Sequence, residues 1–337
     1  MFYNNCFDSC LYFGSYLLVA TFSGGAPGSV SMDSNSIDSC YSYKMSTTSS
    51  MHAGLVVRNN GIRDLRQMGG SAIDGSGVLL IENNSCTRVY QGMYLEPAKF
   101  IEARNNHIDS AIKGIGAYDT AFIHHNRMDT CATGIYVAEA DSLAIADNLI
   151  LGSRTYDVEM TSNARNILFK GNTIRTTSKS TEYGIYDNGS SSAVTMVINN
   201  VIYGGATGIY ISSSGSTERI LGNTIRGGSY AVMIGRDSCV VEQNDLANDT
   251  DVLYRYPLYF ASATNSTRAT KNNFEASDTP MLSGEYGLIC ERNWYGSTDS
   301  MSIAGRIRSG GAMYVVDWQP YRLGPCDTTV GADTVAP

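Results

Sequence analysis

Three of the four histidines in this chain of 337 residues, His107, His124 and His125, lie within twenty positions of one another, among Arg104, Arg127, Asp109 and Asp129. Two neighbouring carboxylates repel unless a cation or a basic group stands between them. Asp109 and Asp129 are therefore the candidate Ca²⁺ pair, which would hold the ion against a uronate carboxylate while His107, His124 or Arg127 removes the proton α to it. In a hydrolase the same two Asp would act as acid and base. Asp109, Asp129, His107, His124 and Arg127 are accordingly the candidate catalytic residues. The plainer alternative is a solvated strand face, polar because strand exteriors must be. No cofactor is indicated beyond Ca²⁺ at this pair, because the sequence has neither a Cys-x-x-Cys motif nor a Gly-rich phosphate loop followed by Lys.

A second set is aromatic: Tyr94, Tyr136, Tyr186 and Tyr210 end short stretches such as Gly134-Ile135-Tyr136-Val137 and Gly208-Ile209-Tyr210-Ile211. Their rings suit the apolar C–H faces of sugars, so these four are the candidate substrate-binding residues. Packing of Tyr against Tyr on a strand-favouring surface would produce the same pattern.

What must position these residues is a repeat. Asn-x-hydrophobic recurs at Asn5, Asn35, Asn60, Asn84, Asn106, Asn126, Asn148, Asn172, Asn200, Asn223, Asn244, Asn272 and Asn293, a mean spacing of about 24 residues. A Gly-Ile-Tyr strand follows many of these marks, and a third strand such as Ile167-Leu168-Phe169-Lys170 leads into the next. Three short strands per repeat make one rung of a β-helix, so the expected fold is all-β, a single-stranded right-handed parallel β-helix of about 12 to 13 rungs. A leucine-rich repeat has an overlapping period, but no Leu-x-x-Leu-x-Leu lead-in or helical segment is seen. Asn tolerates the left-handed backbone of a tight turn, and its amide can bond to copies above and below. Rungs stack at about 4.8 Å, so residues at equal offsets from their Asn become neighbours in space. That places Asp109 beside Asp129, and His107 beside Arg127.

Composition limits the partners. A net charge of −8 and 17% charged residues argue against nucleic acid. The chain has no membrane span, because no apolar run approaches about 18 residues. The first basic residue is Lys44, which argues against a leader at the start. Cys10, Cys40 and Cys131 each lie five residues after a mark and read as inward-facing free thiols, leaving Cys290 and Cys326 as the one pair to consider for a bridge.

The Asn-x-Ile and Gly-Ile-Tyr rungs resemble the right-handed β-helix repeats of the pectate-lyase-like superfamily, shared by polysaccharide-active enzymes, copper-site periplasmic proteins and bacterial surface proteins. The resemblance runs from Met1 to Tyr321, and the closing stretch, from Glu291 through Trp294 to Trp318 and Tyr321, is similar to that of secreted bacterial members. It implies a β-helix over 1–323 and, over 324–337, a linker toward a following domain. It also implies a location outside the cell, at a bacterial surface or in the periplasm, with polysaccharide or cell-surface glycan as partner. The paired-Asp, Gly-His-Gly and Arg-x-Lys motifs of polygalacturonases and the Asp-Pro-His motif of alginate epimerases are missing, so no family catalytic residue carries over. The expected function is an extracellular module with a carbohydrate-contacting, structural or adhesive role. The alternative is a polysaccharide lyase or glycoside hydrolase acting on acidic polysaccharide.

Overall fold

The computed structural model describes residues 2–3, 6–8, 18–20, 30–39, 45–47, 55–65, 70–74, 78–96, 100–161, 163–176, 183–189, 195–212, 218–235, 238–248, 256–261, 267–275, 282–284, 288–309 and 316–329. Asn5, Cys10 and Cys40 lie outside them. The chain divides into two compact units, Met1–Glu159 and Met160–Pro337.

In the first unit each strand pairs in parallel with its counterpart one coil later. Ile101–Arg104 pairs with Ala121–His124, His107–Asp109 with Arg127–Asp129, and Lys113–Ala117 with Thr133–Val137. The second unit repeats the scheme: Thr195–Ile198 with Glu218–Leu221, Val201–Tyr203 with Thr224–Gly227, and Thr207–Ile211 with Tyr230–Ile234. Both units are thus parallel β-solenoids with three sheets, as the repeat predicts. Among the described residues the α-helix is Ser300–Ala304, whose first turn is capped by Asp299 accepting from the N–H groups of Met301 and Ser302.

The core is built by position within the repeat. Two residues after each Asn stand Ile37, Ile62, Cys86, Ile108, Met128 and Ile150 in the first unit, and Ile174, Ile202, Ile225, Leu246, Phe274 and Tyr295 in the second, all buried. Burying one such aliphatic side chain is worth about 1.5–3 kcal/mol.

The marking asparagines are buried in both units, and they stack. Nδ2 of Asn84 donates to Oδ1 of Asn106 at 3.0 Å, and Nδ2 of Asn126 to Oδ1 of Asn148 at 3.0 Å. In the second unit the chain of amides runs Asn172, Asn200, Asn223, Asn244, Asn272 and Asn293. One expectation is corrected here. The left-handed residue is not the marking Asn but the one before it: Asn59, Asn83, Asn105, His125 and Asp147 have φ between 53° and 56°, and Gly171, Asn199, Gly222, Gln243, Lys271 and Arg292 follow suit in the second unit. The reason is a division of labour. The residue before the Asn makes the bend, where the types found are Ser, Asn, Asp, His, Gly, Gln, Lys and Arg. The Asn turns inward, and its amide supplies hydrogen bonds to main-chain carbonyls that the bend leaves open. Thus Nδ2 of Asn126 also donates to the carbonyls of Ala103 and His124.

Cys86, Cys131, Cys239, Cys290 and Cys326 are buried free thiols. Cys131 matches its expected inward place, and Cys290 and Cys326 are not bridged.

Candidate functional site

In the first unit, in-register pairing sets Asp109 opposite Asp129 and His107 opposite Arg127, the neighbours that counting from the Asn marks predicts. The two carboxylates turn to different partners. Oδ2 of Asp129 accepts from Nε of Arg127 at 2.6 Å and lies 2.8 Å from Nε2 of His107. Oδ1 of Asp109 accepts from the hydroxyls of Ser110 at 2.9 Å and Thr130 at 2.7 Å. Burial pushes the Asp129 carboxyl up, but the hydrogen bonds and charges of Arg127 and His107 outweigh it and hold the group below the usual range. The repulsion between the pair is therefore relieved by basic side chains on Asp129 and hydroxyl donors on Asp109.

His124 stands apart from this cluster, in the strand leading into the Asn turn. Its Nε2 lies 3.0 Å from Oε1 of Glu102, and its ring stacks on Phe122 at 4.1 Å. Arg104 completes that second group by pairing with Glu82 and Glu102. Of the five acid–base candidates, four meet and His124 does not. Offset counting alone did not separate them, because it orders residues along a rung without saying which sheet carries them.

The tyrosines occupy the sheet that follows. Tyr94 and Tyr136 flank Gly116 in register, and the side chains of Gln91 and Tyr118 fill the space over that glycine, the Tyr118 ring lying 4.5 Å from Tyr94 and 5.9 Å from Tyr136. Nζ of Lys113 sits 3.5 Å above the Tyr136 ring. In the second unit Tyr186 pairs with Tyr210 in register, and their rings stack at 5.3 Å. Tyr183 joins them at 5.0 and 5.8 Å, and Tyr230, Tyr256 and Tyr259 form a further cluster on the same sheet, within 5.2 to 5.9 Å of one another. Five of these rings, Tyr118, Tyr183, Tyr230, Tyr256 and Tyr259, were missed in the sequence. The available signal was the residue three before the outward Tyr: strands such as Tyr183–Asp187 and Tyr256–Phe260 leave both their first and fourth residues half-buried.

A three-sheeted parallel solenoid with a stacked Asn turn defines a class of β-helix protein, and the family model that matches the chain agrees. The family model for the periplasmic copper-binding protein NosD matches residues 28–195 and 118–311, and the chain belongs to that family, one of right-handed parallel β-helices. No curated protein matches the chain. Among solved structures, the Dettilon tailspike protein matches at 13% sequence identity with a TM-score of 0.32, covering 87% of this chain and 61% of that one. The chain thus spans less than two thirds of the tailspike's length. The family is a periplasmic one, in keeping with the expected location outside the cytoplasm. No helix among the described residues is long and apolar enough to cross a membrane.

The family's name raises copper, which favours imidazole, thiolate and thioether donors. Among the described residues no group of three or more His, Cys, Asp or Glu is placed to hold a metal ion. Burial pushes the Cys86 thiol up to about 12 and the Cys131 thiol to about 11, so both keep their protons. His107 is engaged with Asp129, and His124 and His125 present two ring nitrogens 2.8 Å apart.

Proposed function

We propose that this chain is a non-catalytic β-helix module working outside the cytoplasm, whose tyrosine-bearing sheet contacts polysaccharide or cell-surface glycan. The observation that carries this is the aromatic face of the second unit, where Tyr183, Tyr186 and Tyr210 form one half-buried cluster and Tyr230, Tyr256 and Tyr259 another. Rings held against one another lose little freedom on binding, and their partial exposure leaves aromatic surface that a sugar's C–H face can meet. Electrophoresis through gels containing neutral or acidic polysaccharide tests the idea. Retardation of the wild type by at least one polymer, abolished in Tyr186→Ala/Tyr210→Ala, is expected; a wild type that migrates freely in every gel would sink it.

A second reading, cleavage of acidic polysaccharide, is favoured by the meeting of Asp109, Asp129, His107 and Arg127. Against it, Asp129 is tied to two basic partners instead of standing open to a substrate. Incubation with pectin or alginate and Ca²⁺ decides: a rise in absorbance near roughly 235 nm, from a C=C formed by proton abstraction, that disappears in Asp129→Ala would replace the first reading with this one.

A further inference from the structure

The second unit carries a cavity of about 470 Å³ on the sheet that follows the Asn turn, within the range of roughly 300–1,000 Å³ typical of small-ligand pockets. Register explains its origin. Thr224, Asp245, Asn273 and Trp294 form one row across the strands, and Arg226 and Ala247 belong to the next. Because Ala247 is small, Nη1 of Arg226 reaches Oε2 of Glu275 at 3.3 Å past it, leaving a trough beneath the ion pair. Gly296 extends the opening beside the indole of Trp294.

The far wall is the chain's own return. The Cys326 N–H donates to Oδ1 of Asn273 at 2.6 Å, and Nδ2 of Asn273 donates to the Cys326 carbonyl at 2.9 Å. Gln243 holds the Thr329 carbonyl at 3.2 Å, so Pro325 is fixed over the trough.

We infer that this trough is a binding site for one neutral pyranose unit, a hexose or N-acetylhexosamine, with Trp294 as its stacking platform. A pyranose has one apolar C–H face and a rim of hydroxyls. The indole meets the face. Glu275 accepts from the rim hydroxyls while Arg226 donates to them, and Asp245, whose Oδ1 accepts from Nδ2 of Asn273 at 2.6 Å and whose Oδ2 lies 3.4 Å from the Thr328 hydroxyl, offers its remaining lone pairs. The charges decide the class: one guanidinium against two carboxylates leaves the lining net negative, which disfavours a uronate or any other anionic sugar. The inference rests on the carbohydrate reading above but uses a different surface.

Trp294 and Trp318 are the two tryptophans of the chain, so Trp318→Phe leaves Trp294 as the single indole reporter. Titrating that protein with methyl glucoside, methyl N-acetylglucosaminide and glucuronate should give a saturable fluorescence change with a neutral sugar at millimolar concentration and a much weaker response to glucuronate. Ala247→Leu, which fills the trough floor, should remove the response. Glu275→Ala, at an exposed position, should weaken it about tenfold, the scale of one charged hydrogen bond. Calorimetric titration of the wild type gives the same answer should Trp318→Phe fold poorly. No response to either neutral sugar, an undiminished response in Ala247→Leu, or glucuronate binding as well as the neutral sugars would each overturn the site. Gel retardation that persists while these titrations fail rejects the trough alone. Titrations that succeed in Tyr186→Ala/Tyr210→Ala separate it from the tyrosine face.

Discussion

The side-chain amide of Asn106 donates to Oδ1 of Asn126 at 2.9 Å, and the main-chain N–H of Asn106 reaches the same oxygen at 3.0 Å. One oxygen thus serves two buried donors, while the amide nitrogen of Asn126 serves the carbonyls of Ala103 and His124 and the side chain of Asn148. Each coil turn is tied to the next through a single side chain.

Asn126→Leu therefore leaves several buried polar groups without partners, at about 1–3 kcal/mol for each. A loss of more than about 3 kcal/mol is expected in urea denaturation, allowing for partial relaxation. Asn126→Asp keeps the acceptor and loses both donors, placing a carboxylate against carbonyl oxygens. It should be as damaging at neutral pH and recover in part on acidification, as the carboxyl regains a proton. A urea midpoint close to wild type in Asn126→Leu would refute the role given to the ladder.

Gly134 and Gly61 make a matched pair of tests. A Cβ on Gly134 would lie 2.6 Å from the Asp157 carbonyl and 2.7 Å from Cγ2 of Ile150, whereas one on Gly61 meets nothing within 4 Å. Gly134→Ala should cost at least about 2 kcal/mol through overpacking, and Gly61→Ala should be neutral or stabilising by up to about 1 kcal/mol. Thermal melts of both variants suffice, and equal effects would contradict the stacking distances.

Acid should unlock the Asp129 cluster. Its carboxyl titrates lower in the folded chain than when unfolded, so it contributes stability that is fully present above the unfolded value of about 4 and is lost as pH falls through the folded value. Melting temperature followed from pH 6 downward, to roughly pH 2, should fall less steeply in Asp129→Asn than in wild type. Parallel curves would show that Arg127 and His107 do not hold the group.

Buried, protonated thiols react slowly with alkylating reagents. Brief iodoacetamide treatment of the native protein followed by peptide mapping should leave Cys86 and Cys131 unlabelled, and the same treatment in urea should label both. Rapid native labelling of Cys131 would show that its coil opens far more readily than its burial implies.

Counting along the sequence was enough to set Asp109 beside Asp129 and His107 beside Arg127. Parallel strands in register turn equal offsets into contacts, and the repeat is carried by local residue types: an inward Asn, an aliphatic residue two later, and a polar bend. The same arithmetic made Tyr186 and Tyr210 neighbours. It did not say that the bend belongs to Asn105 or His125 and not to the Asn that follows, because both positions of the turn accept Asn and only backbone angles separate them. Nor did it divide His124 from the Asp pair, supply Tyr118 over Gly116, or bring Cys326 back to Asn273. Those contacts cross between rows or return over 53 residues outside the repeat. They depend on the space that small residues such as Ala247 and Gly116 leave open, a volume that exists only once the coils are stacked.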